Sequence, residues 1–70
     1  MTNYDIPTGP IDAEPLGVRS DTDQIAALVD VLTAAGVELG DYDERIVAWL
    51  AGWEWGTVAT IASWIKRASA

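Results

Sequence analysis

The 70 residues contain no cysteine and no histidine. Disulfides are therefore excluded, and so are the usual zinc, haem and iron–sulfur sites, which draw on thiolate or imidazole ligands. Positive charge is scarce as well: four Lys and Arg stand against eleven Asp and Glu, a formal net charge of −7. Nucleic acid and anionic membranes repel such a chain, because counterion release needs a cationic patch. Its expected partners are proteins or further copies of itself. Long apolar runs are missing too, since charge or glycine interrupts every window well short of the ~20 residues that a spanning helix needs. Met1 is followed by a polar, acidic, proline-bearing run where a secretory signal would place a positive and then an apolar region. The expectation is a soluble, cytoplasmic protein.

Proline is confined to Pro7, Pro10 and Pro15, with Gly9 and Gly17 among them. Proline lacks the amide donor and biases the preceding residue towards extended geometry, so residues 1–20 should form neither a helix nor a central strand. They read as an acidic, extended or disordered tail. One reading makes it a solubilising leader. The other treats Tyr4, Ile6, Ile11, Leu16 and Val18 as anchors that lie across the rest of the chain or on a partner. About fifty residues, 21–70, remain to build a core, which is marginal without a disulfide or a metal. Aromatic packing and association are the remaining means.

The charge is also unevenly placed. Residues 1–44 carry ten carboxylates against Arg19, a net −9, whereas residues 45–70 carry Glu54 against Arg45, Lys66 and Arg67, a net +2. That second stretch holds all four tryptophans, Trp49, Trp53, Trp55 and Trp64. An indole combines a large apolar surface with one N–H that needs a partner, so it suits the border of a core or a docking face.

Periodicity predicts an all-α fold, a small three-helix bundle with helices over about 21–35, 41–52 and 56–68. For the first, Asp21 and Gln24 have capping-box spacing, and Ile25, Leu28, Val29 and Leu32 fall on one face. Gly36 closes it. Ala26, Ala27, Val31 and Ala34 widen its apolar surface, as expected of a helix packed on two sides. For the second, Asp41 and Glu44 repeat the capping-box spacing, and Ile46, Trp49, Leu50 and Trp53 make a stripe expected to be core. Helix capping accounts for Asp41, Asp43 and Glu44 without a metal or an acid–base pair. For the third, Val58, Ile61, Ala62, Ile65 and Ala68 make the inner face, with Trp64 at its border. Lys66 and Arg67 suit the negative end of the helix dipole. In the turn Gly52-Trp53-Glu54-Trp55-Gly56 two indoles cannot easily both be buried, and Trp55 is the one expected to be exposed.

The stretches Asp43-Glu44-Arg45-Ile46-Val47-Ala48-Trp49-Leu50-Ala51-Gly52-Trp53 and Thr57-Val58-Ala59-Thr60-Ile61-Ala62-Ser63-Trp64-Ile65 resemble segments of small uncharacterised proteins of actinobacteria and their phages. The likeness covers roughly residues 21–68. It implies a mobile-element or virion setting, and it carries over no activity and no catalytic or ligand residues. Arg45 to Leu50, a glycine turn and Thr57 to Ala62 also resemble the opening of a helix-turn-helix. No residues remain for a following third helix, so 57–67 would itself have to be the reading helix, with Thr57, Thr60, Ser63, Lys66 and Arg67 outward.

An enzyme is not expected, because without His or Cys the chemistry would fall to carboxylates, Ser, Tyr or Lys, and none forms a recognisable constellation. No cofactor and no small-molecule substrate are expected. The leading expectation is a non-catalytic protein-interaction module that self-associates or docks through Trp49, Trp53, Trp55, Trp64 and Val31. The alternative is a nucleic-acid-related regulator, either an incomplete helix-turn-helix with Lys66 and Arg67 on phosphate or an acidic decoy of a DNA-binding protein.

Overall fold

The computed structural model describes residues 6–70, so Tyr4 lies outside the described residues. Three helices follow one another, α1 over Asp21–Ala34, α2 over Asp41–Leu50 and α3 over Trp55–Ala68. The described residues contain no strand. The all-α three-helix architecture is thus the one that the periodicity predicts, and its boundaries differ from the expected ones by a residue or two.

The helix ends show how the sequence sets these limits. Ser20, not Asp21, caps α1, its Oγ accepting the Asp23 amide at 3.1 Å. Asp21 and Asp23 then stand inside the first turn, where the dipole favours carboxylates. At the other end Gly36 takes φ +84, a region that costs a residue with a Cβ. Its amide donates to Thr33 O at 3.0 Å and that of Val37 to Leu32 O at 3.0 Å, the paired reverse bonds of a Schellman closure. At the start of α2 the Gly40 amide donates to Asp43 Oδ2 at 2.9 Å, so Asp43 performs the back-reaching half of the expected box in place of Glu44. Glu54 caps α3 and accepts a hydrogen bond from the Thr57 hydroxyl.

α1 is the element on which both others pack, as its wide apolar surface predicts. Leu28, Ala27 and Val31 meet Val47 and Ala51 of α2 and Trp55, Val58, Ala59 and Ala62 of α3 in one cluster. Two polar side chains are sealed in with them. Gln24, 2% exposed, donates from Nε2 to Ala51 O at 2.6 Å and to Trp53 O at 2.7 Å. One amide group thereby satisfies two carbonyls that the ending of α2 leaves without helical donors. That use of Gln24 replaces the capping role expected of it.

Residues 6–20 run without helix or strand along α3. Ile6 packs against the core, and Ser63 Oγ, fully buried, donates to Pro7 O at 2.7 Å. Glu14 crosses Gly56 so closely that a Cβ there would lie 2.7 Å from its Cγ. Arg19 sets its guanidinium 4.8 Å from the centre of the Trp55 ring. The segment therefore forms a strap over α3, but of the anchors expected in it Ile6 packs on the core while Leu16 and Val18 are exposed at 86% and 92%, the place over Trp55 being taken by Arg19.

Candidate functional site

The expected binding residues divide into two groups. Trp55 is 3% exposed and Val31 is buried beside it in the core, so neither is available to a partner. Trp55 was expected outside because two indoles crowd one short turn. It is inside because it begins α3, whose first turn faces the core, and because Arg19 covers its ring. Val31 is enclosed because α1 is covered by both neighbours. Trp49, Trp53 and Trp64 are exposed at 62%, 49% and 58%.

In the stripe on α2 expected as core, Ile46, Trp49 and Trp53 are exposed, and Leu50 is only partly buried. The helix instead buries Val47 and Ala51, which lie to one side of that stripe. Tyr42 extends the outward set at helical spacing, giving Tyr42, Ile46 and Trp49, with Trp53 in the turn beyond. The Trp49 and Trp53 rings meet edge to face, 5.8 Å between centroids and 77° between planes.

α3 is turned as well. Its buried face is Trp55, Gly56, Val58, Ala59, Ala62 and Ser63, shifted from the expected one towards the strap. Ile61 and Ile65 are left partly open and Ala68 exposed. Ser63, outward only in the helix-turn-helix reading, is one of the most buried side chains, and it also accepts a hydrogen bond from Arg67 Nε at 3.0 Å. The sequence offered no periodic signal for this rotation, because the cover comes from irregular chain.

Two of the cavities on the surface share a wall. A groove of about 280 Å³ between α2 and α3 has Leu28 and Leu32 of α1 in its lining, with Ile46, Leu50, Ile61 and Ile65 among its walls. A cleft of about 610 Å³ between the strap and α3 is walled by Trp64 and Ile61. Ile61 lines both, so it forms the ridge between them. The charged residues that line the pair are Asp43 in the groove and Asp12, Glu14 and Glu54 in the cleft, all of them acids. Among the described residues no group of three or more acids stands close enough to hold a metal ion. No described helix is long and apolar enough to cross a membrane.

What these features define is an all-α three-helix protein with three exposed tryptophans. Compared with protein-family models, with curated proteins and with solved structures, the chain matches none.

Proposed function

We propose that the protein is a small non-catalytic interaction module that binds other protein surface through the face bearing Trp49, Trp53 and Trp64. The observation that carries this reading is the stripe Tyr42, Ile46, Trp49 and Trp53, apolar at helical spacing and yet outside the core. A periodic apolar face that the fold does not cover is the usual mark of a face covered by something else. At roughly 200 Å² per aromatic side chain, Tyr42, Trp49 and Trp53 leave on the order of 350 Å² uncovered. That is within the range of the largest apolar patches found on monomers, and such patches are commonly functional. Tryptophan and tyrosine are also the residues on which binding energy concentrates. The resemblance to small phage and actinobacterial proteins adds a virion or accessory setting to this reading.

Affinity capture from native lysate tests it, using the wild-type chain beside a variant with Trp49, Trp53 and Trp64 all replaced by Ser. The wild type should retain protein, either another species or further copies of itself, that the folded variant loses. Retention of the same set by both would contradict the proposal. So would recovery of nucleic acid through Lys66 and Arg67 in place of protein, with binding that falls steeply as salt rises.

A further inference from the structure

The cleft between the strap and α3 has a direction. Pro7 meets Ser63, Glu14 crosses Gly56 and Arg19 covers Trp55, so the strap runs antiparallel to α3 and the two walls share one course. Along that course the lining changes character. Glu14 and Glu54 stand at the start of α3, whereas Ile61 and Trp64 stand about one to two turns further on. With Asp12 on the strap wall, three carboxylates and no cation line this one cavity.

Two features fit the cleft to another stretch of chain. The carboxylates at its acidic end are set in place: Glu14 reaches over the first turn of α3 where Gly56 has no Cβ, and Glu54 accepts the Thr57 hydroxyl. The backbone of the strap wall is open as well. Among the described residues, Ile11 to Glu14 make no hydrogen bond within the protein, so their N–H and C=O groups are available to an added extended segment. From Gly56 to Trp64 α3 advances about 12 Å, which an extended segment covers in about four residues at ~3.3 Å each. Side chains four positions apart on such a segment share a face. The volume of about 610 Å³ lies within the range of ligand-binding clefts.

Resting on the interaction-module reading above, we infer that the cleft receives an extended segment of a partner protein. An arginine of that segment sits at the end marked by Glu14 and Glu54, and an apolar side chain four positions away lies against Ile61 and Trp64. Arginine suits the acidic end because its planar fork carries five donors and stays charged. A second copy is a poor source of such a segment, since its Arg45, Lys66 and Arg67 are held in helices and its Arg19 lies on Trp55.

The test is an NMR titration of the isotope-labelled full chain with two heptapeptides of threonine and serine. One carries arginine second and leucine sixth, and the other has the two exchanged, so that both chain directions are offered. At least one should give saturable shifts of the amides of residues 11–14, of the Thr57 amide and of the Trp64 indole N–H. Glutamine in place of arginine should weaken that peptide at least fivefold. Glu14→Gln and Trp64→Ala, both at exposed side chains, should each weaken it several-fold in a chain whose spectrum remains that of the folded protein. Asp43→Asn, in the other groove, should leave the affinity unchanged. No saturable shift with either peptide, shifts centred on Tyr42 and Ile46, or undiminished binding of the glutamine peptide would each overturn the inference. Equal losses from Glu14→Gln and Asp43→Asn would reduce the effect to diffuse attraction and overturn it too. So would a dimer in sedimentation that Glu14→Gln dissociates, which would put a second copy in the cleft. If capture from lysate shows tryptophan-dependent protein binding while both peptides fail, the interaction reading stands and the arginine-bearing occupant falls.

Discussion

At the scale of single residues, Gln24 and Trp55 hold the structure together where the sequence gives least notice of it. Gln24 places two N–H donors on the carbonyls of Ala51 and Trp53, inside a site from which water is nearly excluded. Gln24→Leu keeps the volume and removes both donors, leaving two carbonyls short of partners. The cost should be about 2–4 kcal/mol, at ~1–3 kcal/mol for each stranded group. Urea denaturation with an unchanged m-value is the measurement. The indoles give a matched contrast. Trp55→Ala should lose about 3–5 kcal/mol, as expected for emptying a buried aromatic site. Trp53→Ala should lose ~1 kcal/mol or little more, chiefly its edge-to-face contact with Trp49. The order was not legible in the sequence, because both residues lie in one five-residue turn. Only the position of Trp55 at the first residue of α3, under Arg19, separates them.

At the scale of elements, the three helices were legible because caps, breaks and periodicity agree at each of them. Ser20 and Asp21 begin α1, Gly36 ends it, and Gly40 with Asp43 begins α2. The orientation of α2 and α3 was not legible. Both carry apolar residues around more than half of their circumference, so the spacing rule admits more than one inner face. The core took Val47 and Ala51 in preference to Ile46 and Trp49, and Ala59 and Ser63 in preference to Ile65. Small residues let α3 and its cover approach closely, and the strap is the cover that the prolines concealed. Its contacts include the Ser63–Pro7 hydrogen bond, the partly buried Ile6 and the Arg19–Trp55 pair. Each is worth about 0.5–1.5 kcal/mol before the entropy of ordering the strap is subtracted. Removing residues 1–19 should therefore lower Tm by on the order of 10 °C, using ~4–8 °C per kcal/mol for domains of this size. Ser63→Ala in the full chain should reproduce about a third of that drop. A calorimetric scan that finds no change in either variant would return the tail to the role of a leader.

At the scale of the whole molecule, the chain builds its core from aliphatic and small side chains plus one indole, and keeps three indoles out of it. A domain with no disulfide and so few core residues has little stability to spare. Leaving Trp49, Trp53 and Trp64 in water is therefore an arrangement with a consequence: burial is still available to them on contact with another surface. On the proposed reading, the net charge of −7 favours a partner of opposite charge. Raised salt should accordingly weaken partner binding by screening, with little effect on the apolar part of the contact.

The most direct measurement is the unfolding free energy of the variant carrying Trp49→Ser, Trp53→Ser and Trp64→Ser, set beside its binding. If these indoles serve association, the variant should lose no more than ~2 kcal/mol of stability, in line with three largely exposed substitutions, and should lose its partner. A loss of ~5 kcal/mol or more, with Trp55 fluorescence reporting a disrupted core, would make the three indoles part of the fold and contradict the account.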